Sequence, residues 1–167
     1  DFSGQNLGPM DSKILAAEFE VFGVRGFIAA VNSLTIDSTG DTQKRNGEWN
    51  NGGPKPYTLT AGEEKIDLSN KNLGSADVAL LTTWLQRPEV SATVAHLALG
   101  SNPIGDAAMI SLLDTLKDIP LISFDISKTN CGVSTASKLA ELLAEETKFK
   151  ATLNEMNIAF NPIGTNG

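Results

Sequence analysis

Residues 97–117 read LALGSNPIGDAAMISLLDTLK. Leu97 and Leu99 stand two apart, and the apolar residues Ile110, Leu113 and Leu116 then recur at steps of three. A period of two puts Leu97 and Leu99 on one face of a short strand, whereas steps of three to four make the second half an amphipathic helix. Between them, Asn102-Pro103-Ile104-Gly105 is turn chemistry, and Asp106 is a residue type that starts helices. The stretch is one strand–turn–helix unit.

The unit comes back along the chain. Its strand-and-turn phrase reads IDLSNKNLGS from Ile66, FDISKTNCGV from Phe124 and MNIAFNPIGT from Met156. A shortened copy, FSGQNLGP, starts at Phe2, and LTIDSTGD from Leu34 keeps the strand without the turn. The second apolar strand residues are Phe2, Ile36, Leu68, Leu99, Ile126 and Ile158, so about six units are expected over residues 1–167. A unit this small buries its apolar side only against its neighbours, and internal repetition therefore fixes the architecture.

Five residues beyond each of five markers lies another apolar residue (Leu7, Leu73, Ile104, Cys131 and Ile163), followed every time by glycine. Ser75, Asp106 and Ser134 come next as expected helix caps. Helical spacing resumes at Val78, Leu81 and Leu85, and at Leu139, Leu142 and Leu143; Pro88 and Pro120 end their helices. In the first unit Ile14, Leu15, Phe19 and Phe22 have the same character.

The strand phrase and the helix after it resemble the leucine-rich-repeat family, and within it the ribonuclease-inhibitor-like class. The resemblance covers nearly all of the chain except residues 40–64. It implies an α/β solenoid of curved right-handed βα repeats, with a parallel sheet on the concave side and helices on the convex side. The family's ladder asparagine is present at Asn102 and Asn161 and replaced by Gln5, Lys71 and Thr129. A weak ladder is expected, with those three turns held in some other way.

Residues 40–64, GDTQKRNGEWNNGGPKPYTLTAGEE, break the pattern. Gly47, Gly52, Gly53, Pro54 and Pro56 exclude a regular helix. Asn46-Gly47 signals a hairpin turn and Tyr57–Thr60 a short strand. An irregular loop or hairpin is expected in place of the helix of the second unit. Trp49 and Tyr57 either stand exposed as contact residues or fold back over the gap that the missing helix leaves. Asp37, Thr39, Asp41 and Glu48 have the spacing of a calcium loop, but Thr42 stands where that loop needs glycine.

With 13 Lys+Arg against 20 Asp+Glu, the chain has a net charge of -7. Nucleic acid is not an expected partner for an acidic chain, and no run is long enough to predict membrane insertion. Cys131 is alone, so no internal disulfide framework exists; a cytoplasmic setting is mildly favoured. Neither a phosphate-binding glycine loop, a zinc spacing nor a nucleophile elbow appears. His96 reads as structural and Cys131 as a small core residue. No catalytic residue, cofactor or metal is expected.

What remains is surface. Asp37, Asp67, Asp125 and Asn157 flank the apolar strand markers and are expected on the concave face, with Phe160 beside them. Together with Trp49 and Tyr57 they are the candidate contacts for a partner protein. No polar cap is evident at either end of the repeat array, so Phe2, Leu7, Met156, Ile158 and Ile163 are candidate surfaces for head-to-tail assembly. The expected function is a non-enzymatic protein-interaction scaffold, with a self-assembling structural subunit as the alternative. The family also includes ribonuclease inhibitors and activators of a small GTPase, which makes regulation of an enzyme a more distant possibility.

Overall fold

A computed structural model describes residues 31–164. The expected first unit, with Phe2, Leu7 and its helix residues, lies outside the described residues. Two strands come first, β1 at Ser33–Asp37 and β2 at Pro56–Thr60. Then follow β3 at Lys65–Asp67, helix α1 at Ser75–Leu85 and the short α2 at Pro88–Ser91. Next are β4 at His96–Ala98, α3 at Asp106–Leu116 and β5 at Ser123–Asp125. The last are α4 at Val133–Ala144, α5 at Lys148–Thr152 and β6 at Glu155–Asn157.

Strands β3, β4, β5 and β6 form a parallel sheet in sequence order. The register sets Ile66 beside Leu97, Leu97 beside Phe124, and Phe124 beside Met156. Ile66, Leu97 and Phe124 point into a core shared with Leu81, Leu113 and Leu139 of α1, α3 and α4. Helices α1, α3 and α4 also pack in sequence order, each against the next. They cover one face of the sheet and leave the other open. The protein is therefore mixed α/β, with apolar residues inward and mostly polar residues beside them outward in each strand.

The turns out of the strands repeat in detail. Asn70, Ser101, Lys128 and Phe160 each lie two residues past a strand marker, and all four are left-handed, with φ between 53° and 60°. Two solutions follow. In the NLG and NCG turns Asn72 and Asn130 are again left-handed, as asparagine tolerates. In the SNPIG turn proline cannot take that conformation, and Gly105 adopts φ 79° instead.

Asn102 and Asn161 bind these turns together. The Asn102 side-chain carbonyl accepts from Lys71 N–H and Leu73 N–H, both at 3.0 Å, and its amide donates to Leu68 and Leu99 carbonyls at 2.9 and 2.7 Å. Asn161 repeats this with Thr129 N–H, Cys131 N–H and the carbonyls of Ile126 and Ile158. The Lys71 and Thr129 turns, which lack the asparagine, are thus held by the next unit's asparagine, and the Gln5 turn lies outside the described residues. The Pro-containing turns close locally, Ile104 N–H on Asn102 and Ile163 N–H on Asn161.

Two expectations need correction. First, β1 is a strand but does not extend the parallel sheet; it pairs antiparallel with β2, Ile36 opposite Tyr57. The insertion returns its own strand, and backbone pairing with that strand wins. Second, Ser75, Asp106 and Ser134 are not caps. Gly74, Gly105 and Gly132 occupy the cap positions without a side chain to offer. Carboxylates elsewhere take the role: Asp77 accepts from Gly74 N–H at 2.8 Å, and Asp106, on the preceding helix, accepts from Gly132 N–H at 2.7 Å and from Thr135. Met156, a candidate end surface, is partly open to solvent. It is 36% exposed, because no described helix or strand lies beyond β6. Cys131, by contrast, is fully buried as expected, and burial pushes its thiol up.

Asn102 is 1% exposed and satisfies two turns at once. Asn102→Ala should therefore cost about 3 kcal/mol, since buried N–H and C=O groups lose their partners. Urea unfolding measures it; a loss below about 0.5 kcal/mol, the range of an ordinary surface change, would contradict the shared-turn role.

Candidate functional site

The uncovered face of the parallel sheet is built by period-two alternation. On either side of the central residue of each strand, two side chains point out. Lys65, His96, Ser123 and Glu155 form one row across β3 to β6, and Asp67, Ala98, Asp125 and Asn157 form the next. Together they line a shallow open depression of about 480 Å³. The row starting at Lys65 was not anticipated, because strands read from their first apolar residue begin one position too late. Alternation carried back from Asp67 finds it.

Within the face, His96 Nδ1 and Ser123 Oγ are 2.8 Å apart, and Lys65 lies 3.5 Å from Asp67. Among the described residues no acidic side chain bonds the His96 imidazole, so the His–Ser contact lacks there the third member that a nucleophilic relay needs. Asp67, Asp125 and Asn157 have a local task. Each side-chain oxygen accepts the N–H two residues on, at Ser69, Ser127 and Ala159. These Asx turns end the strands. Partial burial pushes the Asp67 carboxyl up, but the Ser69 bonds and Lys65 outweigh it and hold the group below its ordinary value. Asn157 also donates to Asp125 at 3.3 Å.

Phe160 stands at the end of the face and is 79% exposed, with Lys128 Nζ 4.9 Å from its ring centroid. An exposed aromatic held in left-handed backbone is costly twice over, in hydration and in conformation. Asp37 is not part of this face, since its strand belongs to the separate hairpin sheet.

Tyr57 requires a correction as a contact residue. It is 3% exposed, and its hydroxyl donates to Asp77 Oδ1 at 3.0 Å. The aromatic folds back over the gap where a helix is missing. Trp49 is half-buried, its indole 3.0 Å from where a side chain on Gly53 would start. The hairpin tip is Lys44–Gly47, closed by Gly47 N–H on the Lys44 carbonyl, with Gly47 at φ 85°.

Two carboxylates fasten the hairpin. Asp77 Oδ2 accepts from Thr39 N–H at 2.9 Å and Thr39 hydroxyl at 2.8 Å, besides its own Gly74. Asp41 gathers the loop by accepting from the N–H groups of Thr42, Asn51 and Gly53. Its oxygens face amide protons, so Asp41, one of the residues with calcium-loop spacing, is spent on the loop backbone. Gly40 then touches the α1 turn so closely that a Cβ there would meet Asn72 O at 2.4 Å. Among the described residues no group of acidic, histidine or cysteine side chains is placed to hold a metal, and no helix is long and apolar enough to cross a membrane.

The two carboxylates titrate in opposite senses. Burial pushes Asp77 up, and its four donors pull it back only in part. Partial burial also raises Asp41, but Gly53, Thr42 and Asn51 N–H groups more than offset it and hold it below 3.8. The chain matches no protein-family model and no curated protein.

A raised folded pKa means that stability from Asp77 is full below the ordinary carboxyl range and declines as pH rises through the shifted value; a lowered one means that stability from Asp41 is lost as pH falls through it. Comparing wild type with Asp77→Asn, the stability gap should move in favour of the variant on going from pH 3 to pH 7, and the gap to Asp41→Asn should move the other way. Parallel movement of the two in pH-resolved urea unfolding would refute the assignment.

Proposed function

We propose that the chain is a leucine-rich-repeat solenoid of the ribonuclease-inhibitor-like kind, acting as a non-enzymatic protein-interaction module. Four strand–turn units in register, with left-handed residues and bridging asparagines at repeating positions, support the solenoid reading. The observation that carries the interaction reading is the uncovered sheet face ending in Phe160. Helices protect one side of the sheet, while the other keeps two rows of polar side chains and a strained, solvent-facing aromatic. Broad, shallow and mixed in charge, such a face suits a protein surface rather than a small molecule. Phe160, Glu155 and His96 would be its contact residues, with Asp67, Asp125 and Asn157 shaping the strand ends.

The test uses a partner captured on the immobilised chain, identified and then purified. Phe160→Gly should lower its affinity at least tenfold while leaving stability within about 1 kcal/mol, since glycine relieves the left-handed strain as the ring contact is lost. Equal affinity for wild type, Phe160→Gly and Glu155→Lys would place the binding site elsewhere.

A second reading, self-assembly through the β6 edge, has its own observation. Leu68, Leu99 and Ile126 N–H each donate to the following unit, as do Asn70, Ser101 and Lys128 N–H. The corresponding N–H groups of Ile158 and Phe160 have no acceptor among the described residues, beside the exposed Met156. An open strand edge with apolar neighbours pairs readily with another chain. Light scattering over a concentration series would then show mass rising above 17.7 kDa, and Met156→Lys with Ile158→Lys would abolish the rise. A constant monomer mass rejects this reading and leaves the first intact.

A further inference from the structure

The loop between β1 and β2 contains two Asn-Gly pairs, Asn46-Gly47 and Asn51-Gly52. Asparagine is thermolabile, and a following glycine leaves its backbone nitrogen unhindered and conformationally free. The two pairs sit in different surroundings. Gly47 N–H is engaged with the Lys44 carbonyl at 3.0 Å, and Asn46 Oδ1 accepts from Glu48 N–H at 3.2 Å. Nucleophile and electrophile are both held. Both pairs are exposed and neither glycine has anything within 4 Å of where a side chain would be, but Gly52 N–H has no acceptor among the described residues, and the Asn51 amide is held only through Nδ2, on Asp41.

We propose that Asn51 is a site of spontaneous deamidation, and that its conversion loosens the Asp41-centred loop where it meets the turn before α1. The Gly52 nitrogen attacks Asn51 Cγ, forming the new C–N bond of a succinimide. The Cγ–Nδ2 bond breaks, and ammonia leaves with the proton lost from Gly52. Water then adds to one of the two ring carbonyls and opens the ring to aspartate or isoaspartate.

The surroundings make this one amide consequential. Asn51 Nδ2 donates to Asp41 Oδ1 at 3.2 Å. A carboxylate in its place sets like charges side by side on the group that gathers the loop. Isoaspartate also lengthens the main chain by one carbon, which shifts the Asn51 carbonyl away from Asn72 Nδ2, its partner at 3.0 Å. Asn72 belongs to the turn before α1 and also donates to the Gly53 carbonyl at 2.8 Å, so the loop loses one of its two bonds to that amide as well as part of its internal closure. At Asn46 the same change would add a charge to an exposed tip and disturb neither link.

The experiment ages the purified full chain in mildly alkaline buffer and locates deamidation by fragment-ion mass spectrometry, scoring Asn166 as a separate peptide. Asn51 should convert several-fold faster than Asn46, and Asn51→Gln should remove that signal. Hydrogen exchange then reads the consequence. Protection of the Gly40 and Gly53 N–H groups, bonded to Asn72 O and Asp41 Oδ2, should be lost in aged protein and in Asn51→Asp, and kept in Asn46→Asp. Conversion of Asn46 at an equal or greater rate would overturn the site, and undiminished protection in Asn51→Asp would overturn the loosening.

Discussion

Each time the chain leaves a strand it must find partners for a turn's worth of buried N–H and C=O groups, and this requirement governs the whole parallel-sheet body. An unpaired buried amide costs as much as a lost hydrogen bond or more. Asn102 and Asn161 meet the requirement from the neighbouring unit, each holding its own strand end and the turn before it. The units are therefore welded by polar bonds as well as by packing. The apolar core of Leu68, Leu99, Leu113 and Ile126 could tolerate slippage between units; a buried amide with fixed donors and acceptors on both sides does not.

The hairpin solves a different problem with the same chemistry. A unit that lacks its helix exposes the side of α1, and the insertion covers it with Tyr57 and Leu59, both buried. Covering a polar helix start with an aromatic brings a hydroxyl and a carboxylate into the interior. Asp77 answers by accepting four hydrogen bonds from three segments of chain. Its position at the N-terminal turn of α1, where the helix dipole favours negative charge, adds to the same effect. One residue thus caps a helix, pins the end of β1 and orients the aromatic lid.

These constraints leave function to whatever they do not use. The helix side of the sheet is consumed by the core, the turns by asparagine and aspartate, and the loop carboxylates by amide protons. The open sheet face and the β6 edge are what is left over, and they differ in character. The face is polar, shallow and closed in its hydrogen bonding along the strand ends, whereas the edge combines Met156 and Ile158 with backbone donors that the units of β3, β4 and β5 satisfy from their neighbour. Phe160 stands where the two meet.

The sequence by itself determined the repeating strand–turn–helix order, the apolar residues that face the helices and the absence of a helix in residues 40–64, because these follow from period and from glycine and proline chemistry within a few residues. It also marked Asn102 and Asn161 as special. Only the tertiary structure decided that β1 pairs with β2, that Tyr57 is buried, and that Asp77 and Asp106 cap the helices in place of Ser75 and Ser134. Each depends on which distant segment arrives first at an unsatisfied group. Pattern spacing records the need for a partner; it does not record who supplies it, since Thr39 reaches Asp77 and Gly132 reaches Asp106 across separations that no local rule spans. The outward row of Lys65, His96, Ser123 and Glu155 lay between these cases, readable by alternation yet hidden by taking the first apolar residue as the start of each strand.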